Sequence, residues 1–295
     1  MAEIEALRQL TYSTNLEMLL QQRGSKFANL CRTDTVSGTK AHRMLSQIDS
    51  VEVSERTTRA EVIDNATVNY DGRWVFWKRQ HFGTIVDDLD TLQTGIEPNG
   101  MILQSAVSAL ARQADDDFLN AFFGTAMTGE TGGTSTAFTA GNQVAVTEGV
   151  GAATGLNIKK LRAAMKILLQ NEVDLDTDQV YIGVSPRQHD ELLNFTEVIS
   201  SDFNKPILGQ DGRIRSFLGF NFIVSNRLPT DTNSYRRLPV WVPRGVGRAN
   251  WINLRTDIRE LPNYKSKPVY IEAETQMGFT RLEENFCVEI KCSEA

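Results

Sequence analysis

The stretch in which backbone alone could do chemistry is Gly149-Val150-Gly151-Ala152-Ala153-Thr154-Gly155, set between a short apolar run and a helical one. Glycines at such a junction let peptide N–H groups approach a pyrophosphate, at which the next helix directs its positive end. The spacing, however, is GxGxxxG, and no second βαβ unit accompanies it. A flexible connector explains the same residues, and a nucleotide-binding enzyme is left as a remote reading. Asp115-Asp116-Asp117 offers three carboxylates, as a divalent cation would want. Successive helical residues point about 100° apart, so at most two of them converge. A solvated face, or one that pairs with charges on another subunit, suits the run better.

The remaining reactive side chains do not form constellations. His42, His81 and His189 lack a second ligand at the spacing a metal site shows. Ser185-Pro186 reads as a helix N-cap followed by proline at the first helical position, which explains both residues without catalysis. GxSxG, HExxH and GxxxxGK[ST] are all missing from the sequence. Cys31, Cys287 and Cys292 are odd in number and widely split, which fits a reducing setting without a disulfide frame or structural zinc. No catalytic residue, cofactor ligand or metal ligand is therefore assigned, and no cofactor is expected.

The elements that would position side chains are clearer. Ile4, Leu7 and Leu10, then Leu16, Leu19 and Leu20, fall at helical spacing in a polar segment that suits an amphipathic arm. Strand patterning follows, with Asp71-Gly72 as the signal of a tight hairpin. Trp74, Phe76 and Lys78 then alternate with Val75, Trp77 and Arg79, which puts large aromatics on both faces of a ribbon. Such a ribbon is marginal alone in water, and a partner subunit is one way to cover it. A long helix is predicted from Pro98-Asn99 to Gly124, with Leu103, Val107, Leu110, Ala114, Phe118 and Phe122 on one face. The Gly- and Thr-rich stretch 126–155 reads as a surface loop or boundary, with a strand near Gln143 to Val146. A second helix carries Leu161, Ala164, Met165, Leu168 and Leu169 on one face and Lys159, Lys160, Arg162 and Lys166 on the other. After it come a strand (180–184), a helix (186–195), a hairpin-like segment (214–224), a strand near Val240 and alternating strands to Cys292. The mixture, without a regular βαβ repeat, predicts an α+β fold.

The chain has 295 residues, 41% hydrophobic and 23% charged, which is the make-up of a folded globular protein. Its net charge of -6 argues against gripping nucleic acid with a basic face, but a mildly acidic wall around packaged DNA is compatible with it. No secretory signal is expected at the N-terminus and no apolar run is long enough for a membrane helix.

Three separated blocks resemble the major capsid proteins of tailed bacteriophages with the Hong Kong 97-type fold. The first comprises Trp74 to Phe82, Val86-Asp87-Asp88-Leu89-Asp90, Glu97-Pro98 and Ala109 to Asp116, and is similar to that family's extended loop returning into a long spine helix. The second is Gly212-Arg213-Ile214, Phe217-Leu218-Gly219-Phe220 and Val224-Ser225-Asn226-Arg227-Leu228-Pro229, similar to a passage of the axial domain. The third is Val246-Gly247-Arg248-Ala249, Asp257 to Pro262, Tyr270-Ile271 and Phe279-Thr280-Arg281, which resembles the strands that close the peripheral domain.

The resemblance implies an N-terminal arm at 1–50, an extended loop at 51–90, a peripheral domain at 91–155 and 251–295, and an axial domain at 156–250. It also implies a non-enzymatic coat protein that forms hexamers and pentamers of an icosahedral shell around double-stranded DNA. Many copies of itself, a portal, a scaffolding protein and, where the shell carries one, a decoration protein would be its partners. The virion would be its destination, after assembly in the host cytoplasm. Trp74, Phe76, Trp77, Arg79, Asp115 and Asp116 are the expected intersubunit contacts. Lys78 lies where a family member that crosslinks covalently has its lysine, but no partner residue is evident. An encapsulin-type nanocompartment would share the fold and enclose an enzyme instead of a genome.

Overall fold

A computed structural model describes residues 21–48, 70–87, 99–195, 212–265 and 267–294, with Val53, Glu55 and Arg59 as single positions. The helically spaced leucines of the expected N-terminal arm, and nearly half of the expected extended loop, lie outside the described residues. In chain order the strands are β1 (Arg32–Thr35), β2 (Ala41–Ile48), β3 (Tyr70–Phe76) and β4 (Lys78–Val86), followed by helix α1 (Asn99–Phe123). Next come β5 (Ala126–Thr128), β6 (Thr134–Thr136), β7 (Gln143–Val144), α2 (Ile158–Gln170), β8 (Val180–Val184) and α3 (Pro186–Leu193). Strands β9 (Ser216–Phe217), β10 (Phe220–Val224), β11 (Arg236–Trp241), β12 (Val246–Glu260), β13 (Val269–Arg281) and β14 (Cys287–Cys292) complete the chain. The fold is α+β.

Two compact units share these elements. One is drawn from Met1–Ser25, Arg79–Ala114 and Ile252–Gln276, the other from Lys26–Lys78, Asp115–Trp251 and Met277–Ala295. The chain thus crosses between units inside α1, β12 and β13. Strand β14, which the sequence blocks group with 91–155, is hydrogen-bonded between β7 and β11 in the same sheet as β8 and β10.

In the larger unit a six-stranded sheet runs β7-β14-β11-β8-β10-β9. Its β8–β10 pair is parallel and its β11–β14 pair antiparallel, so the sheet is mixed. The aromatics that sequence periodicity puts on one face of α1 converge here. Phe118 stacks on Phe27 with ring centroids 5.4 Å apart and meets Trp241 at 5.2 Å. The Trp241 indole N–H donates to the Leu30 carbonyl at 2.9 Å, so the one polar atom of this buried ring is satisfied. Helix α2 starts with the Asn157 side chain accepting from Lys160 N at 2.7 Å, as an N-cap should. Helix α3 starts at Ser185, whose N–H donates to the Gln188 side chain at 3.1 Å.

Helix α1 ends on an arginine that local sequence gives no hint of. Arg281 of β13 is fully buried and donates to the carbonyls of Phe122 at 2.5 Å and Ala121 at 3.3 Å, and to that of Gly124. It thereby satisfies carbonyls that a helix C-terminus leaves without partners. Its Nε donates to both carboxylate oxygens of Glu284 at 3.0 Å, and its guanidinium lies 5.0 Å from the Phe138 ring centroid.

Strands β9 and β10 form a hairpin whose two-residue turn is Leu218-Gly219, with φ of 51° and 81°. Positive φ at both positions is the type I′ turn that suits strand twist, and it is strained for leucine. Leu218→Asn is expected to raise the unfolding free energy by about 0.5–1 kcal/mol in urea titration of the dispersed subunit, because asparagine tolerates this backbone.

The chain's last described carboxylate is tied down. Glu294 accepts two hydrogen bonds from Arg236, at 2.9 and 2.7 Å, and one from Gln188 at 2.9 Å. The Arg236 hydrogen bond is the main reason its pKa is held down to about 2. A depressed carboxyl stabilises the fold above its unfolded pKa, near 4.5, and loses that contribution as pH falls toward 2. Calorimetry should therefore show the Tm gap between the native chain and Glu294→Gln closing between pH 4.5 and 2, and staying constant above that window.

In the smaller unit, α1 up to Ala114 packs on strands β13 and β4, with Ala106, Leu110 and Ala273 buried and Phe82 and Leu103 packed against them. The other face of the sheet is a ladder of charge. Arg79 and Arg255 both reach the buried Glu274, while His81 and Arg259 both reach Glu272. Hydrogen bonding from Arg79 holds the Glu274 carboxyl below the usual range.

Several local expectations change. Asp71-Gly72 lies inside β3, opposite Gln47 and Ser46, and makes no hairpin turn. Gly72 is small because a Cβ there would collide with the Arg43 guanidinium, and the Asp71 carboxylate accepts from Gly72 N and Gly129 N. Lys160, expected on the wet face of α2, is fully buried and donates to the carbonyls of Thr154 at 2.7 Å and Lys291 at 2.9 Å. Leu169, expected on the dry face, is exposed. The Gly- and Thr-rich stretch contains a β5–β6 hairpin as well as loops.

Candidate assembly surface

The residues singled out for contact with other copies separate into exposed and internal ones. Strand β3 pairs antiparallel with β2, and Trp74 of β3 pairs with Met127 of β5. Alternation along β3 sends Val75 into a small core with Val36, Met44, Ala249 and Leu282. Trp74 faces its own chain, its N–H donating to the Gly129 carbonyl at 2.8 Å and its ring packed on Gly132. The strand then breaks at Trp77, and Phe76 and Trp77 retain 44% and 37% exposure.

The acidic run is not the solvated face expected of it. Asp115 is completely buried and accepts from Lys26 N and Phe27 N, both at 3.0 Å, so it is not available to another subunit. Asp116 pairs with Arg227 inside the chain, and Asp117 with Lys78 at 3.0 Å. Arg79 is half exposed and bound to Glu274. A recess of about 320 Å³ opens beside Lys78 and Asp117, lined also by Trp74, Phe76, Met127 and Phe279.

Exposed apolar residues extend along the ribbon beyond those that the sequence singles out. Ile48 and Tyr70 face each other across the β2–β3 ladder at 60% and 69% exposure. Met127 joins Phe76 at the other end of β3. Strict alternation would place Ile48 on the face of the buried Met44, and only the irregularity between Arg43 and Leu45 breaks that pattern; nothing in the sequence of 126–136 announces a strand.

The residues weighed for enzymatic chemistry are occupied within the fold. Leu156 N, which a phosphate would need, donates to the Glu191 carboxylate at 2.7 Å, and a Cβ on Gly155 would strike the same carboxylate. His189 accepts from Ile214 N at 3.2 Å. Burial pushes the thiols of Cys31 and Cys287 up, and that of Cys292 to about 12, so all three are poor nucleophiles. Among the described residues no three His, Cys, Asp or Glu side chains gather as metal ligands, and no helix is long and apolar enough to cross a membrane.

A sequence profile of phage capsid proteins matches residues 4–294. The chain belongs to the phage capsid protein family. Solved capsids share its fold at low identity. The capsid of cyanophage P-SCSP1u superposes with a TM-score of 0.75 at 14% identity, covering 99% of this chain and 95% of that one. The mature capsid of bacteriophage PhiM1 gives 0.70 at 12% identity over 96% and 91%, and the capsid of cyanophage Pam1 gives 0.69 at 12% over 98% and 97%. No curated protein matches. The capsid family is a structural one, and its members act as multiple copies in the icosahedral shell of a virion. Both the fold and the role agree with what the three sequence blocks imply.

Proposed function

We propose that this capsid chain closes a shell of hexamers and pentamers around double-stranded DNA, and that Phe76, Trp77, Ile48 and Tyr70 are covered by neighbouring copies when it does. The observation that carries this reading is the β2–β3 ribbon, which leaves apolar side chains in water at both ends within one chain. A monomer gains nothing from that exposure, whereas a curved array of identical subunits removes it from water. The net charge of -6 suits a container that holds DNA without sequence-specific contact. Portal, scaffolding and decoration proteins would complete the particle in the host cytoplasm. Lys78 is engaged by Asp117 of its own chain, which counts against an intersubunit crosslink at that lysine.

Sedimentation velocity and negative-stain microscopy of the purified chain test the reading. Rings of five or six, or closed particles, are expected. A chain that stays monomeric at every concentration and ionic strength, with scaffolding protein present, would sink it.

A further inference from the structure

Helix α2 presents a basic face whose two exposed cations form no ion pair among the described residues. Arg162 and Lys166 are exposed one turn apart, the helix carries no acidic residue, and neither cation has a carboxylate partner among the described residues. Between and below them lie Met165 and Leu169, the latter 57% exposed. The same face opens toward an apolar recess of about 890 Å³ walled by Leu156, Ile158, Phe195 and Phe217.

The loop that follows α2 carries the opposite sign. Glu172, Asp174 and Asp176 are exposed between Asn171 and Gln179. Asp178 is held by Arg244 at 3.2 Å, and Asp174 folds back on its own loop, accepting from Asp176 N at 3.1 Å. Glu172 and Asp176 are left without a cation among the described residues. Neither forms an ion pair with the basic face of its own helix: Glu172 comes ten residues after Arg162 and six after Lys166, about 15 and 9 Å along a helical axis.

We propose that the basic and apolar face of α2 receives the Glu172–Asp176 loop of a second copy of this chain. The two patches differ, so the contact is heterologous, and repeating such a contact by rotation closes a ring. Complementary charge at this seam sets which face meets which, and Leu169 supplies apolar area to it. This rests on the shell reading above, as it assigns one contact within the rings that reading requires.

Charge reversal tests it on the full chain. Arg162→Glu with Lys166→Glu, and separately Glu172→Lys with Asp176→Lys, should each raise the concentration needed for ring formation by about tenfold or more. The chain carrying all four reversals should recover most of the loss, since every seam is again complementary. Circular dichroism should show all variants folded, as the sites are exposed; Arg162→Gln with Lys166→Gln provides a milder form of the first reversal. Reversed chains that assemble like the native one overturn the inference, as does a fourfold variant that stays folded but recovers nothing, which would point to a different protein on this face. A native chain that never assembles overturns the shell reading itself and this contact with it.

Discussion

Replacing Arg281 with methionine is expected to lower the unfolding free energy of the dispersed subunit by about 3–5 kcal/mol, the usual cost of removing one partner from a buried ion pair. Methionine fills much of the space but donates nothing. The carbonyls at the end of α1 would lose their donors, and Glu284, only 13% exposed, would lose its cation. With a urea slope of about 3 kcal/mol/M, the midpoint should drop by roughly 1–1.7 M. Adding Glu284→Gln should return part of the loss by removing the stranded charge, but not the part due to the carbonyls. A midpoint within about 0.2 M of the native chain would show that water takes over the cap and that the arginine contributes little.

Replacing Trp77 with alanine is expected to leave the subunit folded and to impair assembly. A tryptophan has up to about 250 Å² to bury, and 37% of it remains exposed in the single chain, or roughly 90 Å². At about 25 cal/mol per Å², covering that area contributes about 2 kcal/mol per subunit, before association costs. The critical concentration for assembly should then rise roughly 30-fold, and further with Phe76→Ala. Light scattering against concentration measures this, and the thermal melt of the dispersed subunit reports separately on folding. A Trp77→Ala chain that melts far lower yet assembles at the native concentration would make Trp77 an ordinary packing residue.

What the sequence displays well is periodic and local. The stripe through Leu110, Ala114, Phe118 and Phe122 announces α1, Phe217-Leu218-Gly219-Phe220 announces a hairpin, and the alternation past Val246 announces the last strands. What it conceals depends on partners distant in the chain. Lys160 looks solvated on a helical wheel because the carbonyl it binds at Lys291 lies 131 residues away. Arg281 reads as one more strand cation, since its acceptors at Ala121 and Phe122 are about 160 residues earlier. Asp115 looks like its neighbours on an outer face because the backbone N–H groups of Lys26 and Phe27 cannot be foreseen from the run itself. For the same reason Phe76 and Trp77 are legible as aromatics in need of cover, while Ile48 and Tyr70 emerge only once the β2–β3 register is known.

The position of β14 bears on when a subunit becomes competent. The polypeptide leaves the ribosome in order, and the sheet of the larger unit has a gap between β7 and β11 until Cys292 is out. At roughly 5–20 residues per second, the interval of about 50 residues after Trp241 takes several seconds, during which β11 has no neighbour on that side. A nascent chain therefore cannot present a finished building block to its siblings on the same message, and polymerisation is deferred until translation has passed residue 292.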